Sequence, residues 1–203
     1  PALRAALSGT YGQDEPLLTE RRKAMARVVA QFARLHGPDR RMILCRAPGR
    51  VNLMGRHVDH RGGYVNVMAM GREVLLAAAT RDDDVVSLRN TEPGRFPARQ
   101  FRVGDVLAQA SWEDWLDFVD SRAVRGLLAS AGGDWSHYAR AALFRLQHEC
   151  REIRLCGMDC VVSGNIPAAA GLSSSSALVV AFAEAAIALN ALDVTLRDFI
   201  DLC

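Results

Sequence analysis

Apolar and polar positions along the chain set out its elements before any motif is considered. From Leu17 to Leu35 the sequence LLTERRKAMARVVAQFARL repeats apolar residues at helical spacing, which predicts an amphipathic helix with Thr19 as its N-cap. Met42 to Cys45 reads as a short strand. Tyr64 to Met70 and Val74 to Thr80 read as two more, with Gly71 as the turn between them. Asp82, Asp83 and Asp84 form an acidic turn before a strand from Val85 to Arg89. Gln100 to Val103 is an edge strand by the same reading, and Trp112 to Val119 a short helix or ordered loop. Gly133 to Glu149 is helical in pattern, with Asp134 or Ser136 near its start. Met158 to Ser163 is a strand. Ser174 to Leu189 is a helix apolar on nearly every side, hence buried. Thr195, with Asp198 at the capping-box position, opens a last helix. Strands come first and helices follow, which predicts an α+β fold.

Composition narrows the class. Half of the 203 residues are hydrophobic, enough for a sizeable core, and the length suits one generous domain or two small ones. Net charge is +2 with the arginines dispersed, so no nucleic-acid footprint is visible. Lys23 is the one lysine among 25 basic residues. The five cysteines are odd in number, and Cys156-x-x-x-Cys160 has no second metal-ligand pair, so reduced thiols are expected rather than zinc. Asp82 to Asp84 make a poor metal site, because consecutive turn residues rarely converge on one ion. No signal peptide is visible, and no apolar run reaches the about 18 residues a membrane span requires. The expectation is a cytoplasmic protein with no membrane partner. Its pattern stops at DFIDLC inside a helix just begun, which reads as a fragment.

Two segments carry chemistry. Gly164 to Leu189, GNIPAAAGLSSSSALVVAFAEAAIAL, is a Pro/Gly/Ser loop free of acidic residues that runs straight into an apolar helix. The first backbone N–H groups of a helix lack partners within it, and the macrodipole adds partial positive charge there. With four serine hydroxyls at that point, the loop is suited to cradle phosphate. Serines before a helix are also ordinary N-caps. The loop is no Walker-type P-loop, since G-x-x-x-x-G-K-[ST] occurs nowhere in the chain. The second segment, Ala47 to Met70, packs three arginines, two histidines, one aspartate and four glycines between two apolar runs. A surface loop has no structural need for so many polar groups beside glycine turns; a binding site does.

P-G-R-V-N-L-M-G-x-H-x-D-x-x-G-G, followed by P-x-x-x-G-L-S-S-S-S-A, resembles the first two motifs of the GHMP small-molecule kinases. GRVNLMGRHVDH is most similar to the galactokinase-like branch. The resemblance implies a GHMP kinase N-terminal domain over residues 1–203, a ribosomal protein S5 domain 2-like mixed sheet with helices on one side. It also implies that the C-terminal domain, the acceptor-orienting aspartate, a second Mg²⁺ ligand and a third glycine-rich motif are absent from the chain. The implied activity is ATP-dependent phosphorylation of the anomeric hydroxyl of a galactose-like hexose or hexuronate. A catalytically silent sugar and nucleotide sensor, and a GHMP kinase for a non-sugar alcohol, stay open as alternatives.

The resemblance also assigns roles. Arg50 would neutralise transition-state charge, as a fork that is always protonated. Arg56, His57, Asp59 and Gly62 would contact the sugar, Asp59 by accepting from vicinal hydroxyls. Ala169, Ala170, Gly171, Leu172, Ser173, Ser174 and Ser175 would hold the nucleotide phosphates, with Ser175 also a ligand of Mg²⁺. Trp135, and with it Tyr138, resembles a segment near the adenine. Core packing explains both aromatics nearly as well. Three positions depart from the galactokinase pattern: Arg56 stands for an acidic residue, His60 for tyrosine and Ala169 for glycine. A cation where an acceptor would meet the sugar's C6 end suits a hexuronate, and D-H-x-G-G is closer to galacturonate kinases.

Overall fold

The computed structural model describes all residues except 1, 56, 57, 59–61, 108–112, 131, 132 and 169. Its described elements run α1 (Ala2–Tyr11), α2 (Glu15–His36), β1 (Ile43–Met54), β2 (Asn66–Thr80), β3 (Val85–Asn90), β4 (Arg99–Arg102), α3 (Val103–Leu107), α4 (Trp115–Val119), α5 (Arg122–Ser130), α6 (Ser136–Glu149), β5 (Met158–Gly164), α7 (Ser174–Leu189) and α8 (Leu196–Leu202). The strands form one mixed sheet in the order β1-β2-β5-β3-β4. Only β3 and β5 run parallel; the other neighbours are antiparallel.

Six consecutive residues of β2, Val74 to Ala79, are buried, and this signals a strand covered on both faces. Val74, Leu76 and Ala78 pack with α6 and α7 around Phe182, Leu143 and Met158. Leu75, Ala77 and Ala79 point the other way, against Val28 and Phe32 of α2. The helices α6 and α7 supply the expected layer on one side, and α2 adds a cover on the opposite face. Among the described residues, no helix is long and apolar enough to cross a membrane.

The boundaries of α7, β5, β3 and α8 follow the sequence pattern closely, and Thr195 Oγ1 accepts from the Asp198 N–H at 3.2 Å as a cap should. Three expectations change. Thr19 is not a cap, because α2 starts four residues earlier: Asp14 accepts from the Leu17 N–H at 2.9 Å, ahead of a proline in the first turn. Gly71 is not a turn. β2 runs through it as one strand, and an irregularity in the pairing with β1 between Pro48 and Arg50 absorbs the mismatch. β1, in turn, extends well past Cys45, so the first half of the polar motif is strand.

Two residues of the acidic triplet are held in ion pairs. Asp83 pairs with Arg81, while Asp84, nearly buried, pairs with Arg102 at 2.6 Å and Arg154 at 3.4 Å. Among the described residues, no group of three or more His, Cys, Asp or Glu side chains could hold a metal ion.

Candidate functional site

The two polar segments meet. At the irregularity in β1 the chain carries Gly49, and a Cβ there would lie 3.0 Å from the Leu172 carbonyl oxygen and 3.3 Å from Ile166 Cδ1. A side chain there would crowd the serine loop, which glycine lets approach the strand closely. The next residue fastens it: the Arg50 N–H donates to the Leu172 carbonyl at 3.2 Å. The Arg50 side chain, exposed at the surface, donates from Nε to Ser173 Oγ at 3.1 Å. Residues 123 positions apart in sequence therefore share one site.

The serine loop enters α7 in an unusual way. Gly171 (φ 70°) and Ser173 (φ 60°) are both left-handed and turn the chain sharply on either side of Leu172. An N-cap normally sits in extended conformation, from which its side chain reaches the second or third helical N–H. Ser173 is left-handed and makes no such bond; its hydroxyl accepts from Arg50 instead. Ala177 is bonded to the Ser173 carbonyl at 3.0 Å. The N–H groups of Ser174, Ser175 and Ser176, ahead of it, belong to the helix's first turn, where intrahelical acceptors are lacking. No acidic residue occupies that turn. The result is an uncapped helix start carrying three amides, half-buried serine hydroxyls and a forked cation beside them, suited to an anion with several oxygens.

Further along α7, partial burial pushes the Glu184 carboxyl above its usual range, with Arg46 pulling weakly the other way. For Mg²⁺ the chain offers the Ser175 hydroxyl, half-buried in the first turn. A small hard ion that keeps most of its waters and takes phosphate oxygens can accept one such ligand, so the donor set fits.

Of the expected sugar contacts, Arg56, His57 and Asp59 lie outside the described residues, as does Ala169 of the serine loop. Gly62 is exposed and left-handed (φ 75°), and the neighbouring Gly63 N–H donates to the Val58 carbonyl at 2.8 Å. Gly55 is also left-handed, and a Cβ there would fall 2.1 Å from the Tyr64 carbonyl, so both ends of the segment meet at a glycine. Ala170, Gly171 and Leu172 lie in the serine loop ahead of α7.

Trp135 packs in the core. Its ring is 6% exposed, packs edge-on to Phe96, and donates its indole N–H to the Pro97 carbonyl at 3.0 Å. It supports the β3–β4 connection from below, while Tyr138 is 41% exposed. Because β3 and β5 are parallel, that connection lies at the same sheet end as the serine loop.

Comparison with known proteins agrees with this geometry. Residues 30–80 match the galactokinase galactose-binding signature, and residues 137–203 match the GHMP kinases N terminal domain. Lactococcus lactis galactokinase, solved in complex with galactose, superposes with a TM-score of 0.69 at 24% identity, over 88% of this chain and 40% of that one. Methanococcus jannaschii mevalonate kinase gives 0.59 at 15% identity, over 81% and 45%. A D-glycero-D-manno-heptose 1-phosphate kinase from Bacteroides thetaiotaomicron gives 0.54 at 14%, over 80% and 46%. The chain thus spans less than half the length of these structures. Two family models match in order along the sequence, a galactokinase galactose-binding signature and, after it, a GHMP kinases N terminal domain, and they lie on the two segments that Arg50 and Ser173 join.

Proposed function

We propose that residues 1–203 form the nucleotide- and sugar-binding domain of a cytoplasmic, ATP-dependent sugar kinase. The observation that carries this reading is the contact of Arg50 with Leu172 and Ser173, which joins the galactose-binding signature to the helix start of the serine loop. In the reaction, the anomeric oxygen of a galactose-like hexose or hexuronate attacks the γ-phosphorus. A new O–P bond forms, the bond to the β,γ-bridging oxygen breaks, ADP departs, and the hydroxyl proton leaves to a base. Such transfers are catalysed mainly by positioning and charge.

In this reading the amides of Ser174 to Ser176 and the serine hydroxyls hold the β- and γ-phosphate oxygens. Arg50 lies where it can follow negative charge from the γ-oxygens to the leaving group. Ser175 would be the protein ligand of a Mg²⁺ ion, which supplies charge neutralisation between the phosphates. Asp59 and His57 take the sugar hydroxyls, and Arg56 meets the C6 substituent.

The test is ADP formation by the whole protein over a panel of hexoses and hexuronates, with galactose and galacturonate competing. A preference for galacturonate that Arg56→Glu inverts is expected, since one carboxylate would then face another while a neutral CH₂OH gains an acceptor. Tighter galactose binding by the wild type would remove the hexuronate assignment. Sugar and nucleotide binding with no ADP formed would identify a sensor instead.

A further inference from the structure

The serine loop leaves the sheet at Asn165, and the way it leaves is specific. The last β2–β5 pair is Val74 with Gly164. At the next rung the Asn165 N–H donates to the Glu73 carbonyl at 3.2 Å, as a strand would. The return bond does not come from the backbone. The Glu73 N–H donates to the side-chain Oδ1 of Asn165 at 2.8 Å, while the Asn165 carbonyl turns away and accepts from Arg72 Nη1 at 3.0 Å. The side chain thereby completes the ladder and frees the main chain to turn out toward Ile166, Pro167 and the serines.

Glu73 is fixed from every side. It is 1% exposed, paired with Arg46 at 2.8 Å and Arg21 at 3.6 Å, and accepts from the Tyr11 hydroxyl at 2.5 Å. Burial, reinforced by Glu73, pushes the Tyr11 phenol up to about 12, so it remains a donor. Across the sheet Glu73 is also the β2 partner of Pro48, two residues before Arg50. One immobilised residue is therefore the common reference for both functional segments: through Pro48 for the arginine, and through Asn165 for the loop that meets it.

We propose that Asn165 is a positioning residue that sets the serine loop in register with Arg50, by using its side-chain oxygen as a surrogate backbone acceptor for Glu73. Its consequence for nucleotide binding rests on the kinase reading above; its effect on the loop does not. A serine loop displaced by 1 Å would leave the three helix-start amides and the Arg50 fork addressing different points.

The experiment compares wild type, Asn165→Ala and Asn165→Asp, the last keeping an acceptor oxygen at the same place. The first measurement is amide hydrogen exchange without ligand. In Asn165→Ala the Glu73 and Arg50 amides should exchange at least about tenfold faster. The amides of Leu76 and Val162 in mid-sheet should stay within about twofold, and Asn165→Asp should restore most of the protection. Unchanged Arg50 exchange in Asn165→Ala overturns the proposal. So does a uniform rise across the sheet, or an Asn165→Asp variant no better than alanine. If Asn165→Ala does not fold, protection of Arg50 in Asn165→Asp decides alone: wild-type protection supports the surrogate acceptor, and loss of it refutes it. The second measurement is the Kd for MgATP, expected to weaken about tenfold in Asn165→Ala and to recover in Asn165→Asp. A wild type that fails to bind MgATP would count against the kinase reading, while the exchange data would still judge Asn165.

Discussion

Arg50 shows how one residue can hold two places at once. Its backbone is tied to Leu172 and its Nε to Ser173 Oγ, which in the proposed kinase leaves the two terminal amino groups for phosphate oxygens. A lysine could supply charge but not a hydrogen bond to Ser173 together with a fork across two oxygens. In the whole protein, Arg50→Lys should lower kcat by about a hundredfold or more, near 3 kcal/mol of transition-state stabilisation, with a smaller change in the KM for ATP. Steady-state kinetics check this, and near-wild-type turnover would make Arg50 a structural tether. Trp135 teaches the opposite lesson. An aromatic beside a helix start has the same appearance in sequence whether it faces a ligand or the core, and here the bond to Pro97 turns it inward.

At the scale of elements, local signals located most boundaries and misplaced those where two signals competed. The sequence pattern puts the cap of α2 at Thr19, but the helix starts from Asp14, where the Asp14-Glu15-Pro16 run combines a capping oxygen, an acidic first turn and a proline that needs no N–H partner. Asp14→Ala should therefore destabilise the protein by about 1 kcal/mol and Thr19→Ala by much less. Chemical denaturation of the two variants separates them, and equal losses would contradict the assigned start. β2 is the converse case. Gly71 resembles a break, and the β1 pairing does skip it, passing from Pro48–Glu73 to Arg50–Ala69, yet the strand continues through it. α1 is not among the elements predicted from the sequence, and Tyr11 at its end is captured by Glu73 sixty-two positions away.

For the molecule as a whole, buried acids at the sheet's ends govern the response to pH. Burial pushes Asp84 and Asp134 up, but the bonds from Arg102 and Gly104 to the first, and from Ser136 and Arg99 to the second, outweigh it and hold both below the ordinary carboxylate range. Unfolded aspartates take up protons near pH 3.9, at about the model-peptide value, before the folded ones do. The unfolded state then binds more protons, so the stability these groups supply is present above about pH 4 and is lost as pH falls through their folded values. His36, pushed down by burial, adds a gentler loss that begins below about pH 6.5, because the unfolded imidazole charges first. Thermal melts should be level from pH 8 to 7, slope mildly below that, and drop steeply under about pH 4. Replacing Asp84 and Asp134 by asparagine should lower Tm at pH 7 and flatten the acid limb. An unchanged limb would locate the acid response elsewhere.

The sequence alone determined what short-range chemistry can encode. The bounds of α7 and β5, the capped start of α8, the acid-free serine loop and the glycine-flanked polar segment all rest on residues within a few positions of one another. The two motifs could be read because each is contiguous. What only the tertiary structure decided depends on pairs far apart in the chain. Gly49 must admit Leu172, Arg50 must find Ser173, and Glu73 must stand between Pro48 and Asn165. A single sequence carries no local trace of such pairings, since an asparagine that replaces a backbone acceptor has the same neighbours as one that faces solvent. Burial on both faces of the sheet, set by where α2, α6 and α7 pack, made that difference.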